Sequence, residues 1–250
     1  MENAWNEIRA WRRQRRAELI AARLALTADE HRARSAELQA QIRAGFVFPV
    51  GTVIAFCWPF KKEFDARFAL RDFRAAGALA TLPVVVAAAS PLQFRQWWPG
   101  APMRKGVYEI PYPHETRLLA PDVAFVPMNG FDAQGYRLGY GGGYFDRTLA
   151  AQSPRMVAIG LAFENARLPT IQPQAHDIAM DFVVTEAGIY RAQDGELASI
   201  SAAAATQELR DLFARRSLPR TTAVATAYSS PVCYAAEFPG YFGEQIPAAD

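Results

Sequence analysis

A chain of 250 residues with 51% hydrophobic and 21% charged side chains can bury a substantial core, which excludes disorder as the default and fits one domain or one domain plus an appendage. Its formal net charge of +2 supplies no global field to hold nucleic acid or an acidic membrane, so any steering must come from local clusters. Two cysteines, Cys57 and Cys233, are too few for a disulfide framework and stand in no metal-ligand spacing; together with a charged N-terminus and no long apolar run, they give the expectation of a soluble, cytoplasmic protein.

Residues from about 4 to 25 place Trp5, Ile8, Leu19, Ala22 and Leu26 at roughly helical spacing. Arg9, Arg12, Arg13, Arg15, Arg16 and Arg23 crowd the other faces, so the segment is predicted as a basic amphipathic helix. Thr27 followed by Glu30 is a capping box that starts a second helix over about 28–44, ended by Gly45 and Pro49. Beyond it, apolar runs at 52–58, 82–88, 122–127, 156–162 and 182–185 are predicted as strands, with helices at about 65–77 and 143–152. Runs that are continuous rather than alternating point to strands buried on both faces, hence an α/β class with a mainly parallel sheet in a three-layer α/β/α arrangement and the N-terminal helices packed on it. The boundary is set at 190: 1–190 is the functional domain, and 191–250 is an extension of unassigned role with an alanine-rich stretch, a short helix over 208–216 and a tail that includes Cys233 and Glu237.

The most informative stretch is Gly135-Tyr-Arg-Leu-Gly-Tyr-Gly-Gly-Gly-Tyr-Phe-Asp-Arg-Thr-Leu149. Glycines at 139, 141, 142 and 143 permit positive φ, so successive N–H groups can turn around an anion, and a helix starting near Tyr144 adds its positive end. No Gly-Lys-Ser/Thr follows, and the preceding strand ends too early for a dinucleotide fingerprint. Asp146 in the first helical turn would repel a phosphate unless a cation bridges the two, as Mg²⁺ does. A purely structural glycine turn is the alternative.

With its approach, Asp122-Val-Ala-Phe-Val-Pro127 and Gly130-Phe-Asp132, this loop resembles the signature of the 5-formyltetrahydrofolate cyclo-ligases, also called 5,10-methenyltetrahydrofolate synthetases. Arg12-Arg-Gln-Arg15, Phe60-Lys-Lys-Glu-Phe-Asp65, Tyr108-Glu-Ile-Pro-Tyr-Pro113, His176-Asp177 and Asp181-Phe-Val-Val-Thr-Glu186 fall in that family's order. The resemblance implies an ATP- and Mg²⁺-dependent enzyme that closes 5-formyltetrahydrofolate, with or without a polyglutamate tail, to 5,10-methenyltetrahydrofolate. It implies ATP contacts from Arg9, Arg12, Arg15, Arg137, Gly139, Tyr140, Gly141, Gly142, Gly143, Tyr144, Asp146 and Arg147, with Tyr144 and Arg147 nearest the chemistry. It further implies Mg²⁺ ligation by Asp146 and Asp177, and folate contacts from Lys62 (or Lys61), Glu63, Tyr108 and Tyr144. Neither nucleic acid nor a membrane is implied as partner, and monomer and homodimer both stay open.

Two stretches depart from the family pattern. Glu164-Asn-Ala-Arg-Leu-Pro169 replaces a segment in which many members carry glutamine, with Asn165 displaced by one residue, and Asn129 stands where small apolar residues are common. Two other readings therefore remain: a paralogue with the same ATP site and another pterin-like or heterocyclic substrate, and a non-enzymatic module whose arginine helix binds a polyanion.

Overall fold

The computed structural model describes residues 2–106 and 109–216, with side chains from Trp5 onward. Two helices open the chain, α1 (Glu2–Ala25) and α2 (Ala28–Gly45), followed by β1 (Val53–Ala55), α3 (Arg67–Ala75), β2 (Leu79–Val84) and β3 (Gln93–Trp97). A small hairpin, β4 (Met103–Lys105) with β5 (Pro111–Pro113), precedes the central strand β6 (Val123–Pro127). Then come the short pair β7 (Gly130–Phe131) and β8 (Arg137–Leu138), α4 (Tyr144–Ala151), β9 (Val157–Leu161), β10 (Phe182–Thr185), β11 (Gly188–Gln193), β12 (Glu196–Ile200) and α5 (Ala202–Arg216).

Eight strands form one sheet in the order β12-β11-β10-β9-β6-β1-β2-β3. The five from β10 to β2 are mutually parallel; β3 runs antiparallel to them at one edge, and at the other β11 is antiparallel to both of its neighbours, β10 and β12. Side-chain alternation explains the continuous apolar runs. Val123, Phe125, Val157, Ile159, Phe182 and Val184 enter one core, and Ala124, Val126, Ala158 and Val183 enter another on the opposite face. Leu38, Ile42, Leu70, Phe73, Leu209 and Leu212 from α2, α3 and α5 cover the first, whereas Leu149 and Phe145 of α4 cover the second. The three-layer α/β arrangement is thus present.

Strand bounds shift at β1, where only Val53–Ala55 of the run at 52–58 is paired, and at β2. The run at 82–88 is the end of β2, which begins at Leu79; Pro83 fits there because β1 ends its pairing at Ala55 opposite Thr81, leaving only β3 to be hydrogen-bonded. The boundary at 190 falls inside β11, and residues 191–216 complete the sheet edge and add α5 against α2. The turn between β11 and β12 is Asp194-Gly195, both at positive φ (53° and 80°), a two-residue hairpin signal present in the sequence. Residues 217–250, with Cys233 and Glu237, lie outside the described residues.

The capping box forms as the sequence indicates. Thr27 Oγ1 accepts from the Glu30 N–H, and Glu30 Oε2 accepts from the Thr27 N–H at 2.8 Å. Replacing Thr27 with alanine is expected to cost about 1 kcal/mol, seen as a lower midpoint in urea at an unchanged slope. An unchanged midpoint would show that α2 is held by its packing alone.

Candidate functional site

Helix α1 crosses the carboxyl ends of the parallel strands, the place where open α/β sheets hold ligands. Its buried side chains include Arg12, Arg16 and Arg23, all less than 9% exposed, with Leu19 packed on Gly130 so closely that a Cβ there would meet Leu19 Cδ1 at 2.7 Å. Positions 12, 16, 19 and 23 follow an i, i+4, i+7, i+11 stripe. The stripe that faces inward is therefore largely arginine, because the surface beneath it is a row of polar strand ends and loops.

Beyond β8 the glycine loop turns sharply, with Gly141 at φ 93° and Gly143 at φ 64°. Gly143 is the N-cap of α4 and has no side chain with which to cap it, so the positive amino end of the helix faces the loop. Two arginines hold the loop carbonyls: Arg16 Nε donates to Gly139 O and Arg147 donates to Gly142 O, each at 2.6 Å. In a trans peptide the N–H points opposite to the C=O, so this anchoring turns the Tyr140 and Gly143 N–H groups away from the two guanidiniums.

Asp146 is buried in the first turn of α4, where Arg137 donates to one oxygen (2.8 Å) and the Ile178 N–H to the other (3.1 Å). The neighbouring Asp177 accepts from two nitrogens of Arg12, at 3.3 and 2.5 Å, and from the Gln174 N–H. Arg12 also donates to the Ile171 and Gln172 carbonyls, tying α1 to this loop. The two carboxylates thus flank one peptide link, Asp177–Ile178. Among the described residues no group of three acidic, histidine or cysteine side chains gathers. Two oriented carboxylates suit a hard cation that takes its remaining ligands from phosphate and water, and in donor chemistry the residues fit Mg²⁺.

Beside the loop lies a pocket lined by Leu19, Arg23, Glu63, Met128, Asn129, Phe163 and Asn165, among others. Two successive residues at positive φ, Lys61 (50°) and Lys62 (56°), fold the chain so that Glu63 turns inward and accepts from the Phe60 N–H (3.0 Å). Burial pushes the Glu63 carboxyl above its ordinary pKa, and Arg23, with Nη2 3.9 Å away, and the Tyr140 hydroxyl, donating at 2.8 Å, oppose that shift. Arg23 also donates to Asn129 Oδ1 (3.0 Å). Tyr140 belongs to the glycine loop and donates to Glu63, which lines the pocket, so one hydrogen bond connects the anion cradle to the pocket.

The structure brings together Arg12, Arg137, Gly139, Tyr140, Gly141, Gly142, Gly143, Asp146, Arg147 and Asp177, with Glu63 joined through Tyr140. Tyr144 is half-buried at the start of α4, and Arg9 is half-buried on α1. Arg15 is placed elsewhere: it pairs with Glu18 on the solvent side, and Arg16 reaches the loop in its stead. Lys62 Nζ is turned onto the Leu24 and Leu26 carbonyls, where it caps the end of α1. Tyr108 lies outside the described residues. His176 packs edge-on against Trp5, and Asp181, held by Arg155 and Arg216, sits at the amino end of β10, away from the loop. Arg16 and Arg23 belong to the candidate site by position, whereas the sequence places them only on a basic face; their spacing with Arg12 and Leu19 is the signal that could have found them. On this placement, removing the Lys62 amine should lower thermal stability by about 1 kcal/mol through the lost cap and leave ligand affinity within about twofold. A selective loss of affinity for polyglutamylated ligand on titration would instead put Lys62 at the ligand's tail.

Residues 8–186 match the model of the 5-formyltetrahydrofolate cyclo-ligase family. The chain is 35% identical over 118 residues to the 5-formyltetrahydrofolate cyclo-ligase of Mycolicibacterium smegmatis, covering 44% of this chain and 60% of that one. It is 30% identical over 95 residues to the enzyme of the same name from Haemophilus influenzae, covering 36% and 51%. The aligned part thus spans between half and two thirds of those two relatives. In structure it is similar to the 5,10-methenyltetrahydrofolate synthetase of Aquifex aeolicus, with a TM-score of 0.63 and 26% identity over 76% of this chain and 96% of that one. A match that runs from the arginine stripe of α1 through the glycine loop to the last parallel strand takes in every part of the site, and the chain belongs to the 5-formyltetrahydrofolate cyclo-ligase family.

Proposed function

We propose that the protein converts 5-formyltetrahydrofolate and ATP to 5,10-methenyltetrahydrofolate, ADP and phosphate. The observation that carries this reading is the Tyr140–Glu63 hydrogen bond, which ties the glycine-loop anion cradle to a pocket of mixed polar and apolar lining with one buried carboxylate. A transferable phosphoryl group and a folate head can meet there.

In the proposed sequence the formyl oxygen attacks the γ-phosphorus and ADP leaves. N10 then adds to the activated formyl carbon, the N10 proton is lost and the phosphorylated oxygen departs as phosphate. Phosphorylation turns a poor leaving group into a good one, so the protein's task is placement and charge neutralisation. The glycine-loop N–H groups and the amino end of α4 receive the phosphates, and Arg147 and Arg16 fix the loop's shape. Glu63 accepts from the pterin N–H donors, and Tyr144 stands where the cradle opens towards the folate. Asp146 and Asp177 would hold Mg²⁺, which when bound neutralises phosphate charge. Arg137 and Arg12 orient those carboxylates.

Purified protein mixed with 5-formyltetrahydrofolate, ATP and Mg²⁺ should show growth of the near-ultraviolet band of the methenyl product, with none when ATP is withheld. A flat trace from folded protein that binds ATP would sink the reading and favour a different heterocyclic substrate for the same site.

A further inference from the structure

The Glu63 pocket contains a polar atom with no partner. Asn129 is 1% exposed, its Oδ1 accepts from Arg23, and its Nδ2 is buried with no hydrogen-bond partner among the described residues. The orientation of this amide is not free. Arg23 can only donate, so Oδ1 must face it and Nδ2 must face elsewhere. Asn129 and Glu63 line the same pocket, and the same Arg23 nitrogen that donates to Asn129 stands 3.9 Å from Glu63 Oε1. One guanidinium thus holds an acceptor, Glu63, and a donor, Asn129 Nδ2, side by side. A buried donor without a partner is costly in a native fold, and because Asn129 lines the pocket its Nδ2 is placed where an occupant of that pocket, water or ligand, completes it.

We infer that Asn129 is a specificity-determining residue, whose Nδ2–H donates to a ring carbonyl adjacent to the ring N–H that Glu63 accepts. The occupant's edge is therefore that of a cyclic amide, N–H beside C=O, as the pteridine of a folate carries. This inference rests on the proposed function and deepens it. A site built to hydrogen-bond a substrate group discriminates strongly against an analogue that lacks it, because its own polar atom is then stranded.

The test is calorimetric titration of the full chain with 5-formyltetrahydrofolate and with an analogue in which hydrogen replaces the pteridine carbonyl oxygen. Wild type, Asn129→Leu and Asn129→Asp are compared, with ATP binding as a check that each variant is folded. Asn129→Asp keeps an acceptor for Arg23 and replaces the donor by a second, charged acceptor, so a residue that merely holds Arg23 would tolerate it. Wild type should prefer the natural ligand about 10- to 100-fold. Both variants should bind it more weakly by a similar factor, and neither should distinguish the two ligands, while ATP affinity stays the same. Asn129→Asp binding or discriminating as wild type does would overturn the inference and leave the cyclo-ligase reading standing. Wild type that binds ATP but not 5-formyltetrahydrofolate would overturn both.

Discussion

An Asp146→Ala variant should lose methenyl-forming activity by at least about 10³-fold in kcat/KM, roughly 4 kcal/mol of transition-state stabilisation. It should also be much less stable, and the two losses have different causes. Asp146 is buried in an ion pair with Arg137, whose side chain is itself buried. Truncating one partner leaves a guanidinium without compensation and costs about 3–5 kcal/mol of folding free energy. A single variant therefore cannot separate chemistry from collapse. The double variant Arg137→Met with Asp146→Leu can, because replacing both members of a buried pair by apolar side chains of similar size is often neutral or stabilising. Its melting midpoint should lie within a few degrees of wild type, and its turnover should be as low as that of Asp146→Ala. Turnover near the wild-type rate in the folded double variant would make the pair a structural strut and move the cation site elsewhere.

The sheet was legible in the sequence because its central strands are buried on both faces. Val123–Pro127, Val157–Leu161 and Phe182–Thr185 give continuous apolar runs that neither a surface helix nor a half-exposed strand would give. The edge elements were hidden for the converse reason. In β3, Gln93, Arg95 and Gln96 leave only Phe94 and Trp97 in the core, and β12 is half-exposed or exposed throughout, so neither carries a periodic apolar signal. The Asp194-Gly195 turn was the local clue to β11 and β12, and the alanine-rich run that reads as a tail is the first turn of α5.

The site was legible where the backbone itself shapes it. Glycines at 139, 141, 142 and 143 and the acid at 146 announce a loop before a helix whatever surrounds them. Arginines 12, 16 and 23 were harder to rank, because a basic helix face is solvated by default and only tertiary placement across the strand ends buries it. Arg15, one position from Arg16, shows how little the sequence alone separates them: a rotation of about 100° puts one in solvent and the other on the Gly139 carbonyl.

The Glu63→Gln substitution should act in opposite directions on stability and affinity. Burial raises the folded-state pKa of Glu63 above its ordinary 4.5, while Arg23 and the Tyr140 hydroxyl pull it down less strongly. The stability this carboxyl contributes is therefore present below its unfolded pKa and lost as pH rises through the raised folded value, since the folded state binds the extra proton in that window. Above it, the ligand-free protein holds an ionised carboxylate in a poorly solvated pocket at a cost. Glutamine removes the charge and can keep both neighbours, its one oxygen accepting from the Phe60 N–H and its amide nitrogen donating to the Tyr140 hydroxyl once that hydroxyl turns to accept, so the unliganded variant should melt at or above the wild-type temperature at neutral pH. The difference between the two should shrink as pH is lowered through the raised folded-state value. Binding should show the reverse. Carboxylate hydrogen bonds to ring N–H donors are charge-assisted and roughly twice as strong as neutral ones, so the variant should bind 5-formyltetrahydrofolate about 10²-fold more weakly, with ATP affinity unchanged. Thermal melts across pH and titrations at neutral pH measure both halves. A variant that melts lower at every pH would make the Arg23–Glu63 pair net stabilising. One that keeps full affinity would remove Glu63 from the ligand's recognition. A more stable protein that binds less well is the expected pattern, because the wild-type fold keeps a buried charge whose cost the ligand's ring N–H donors offset on binding.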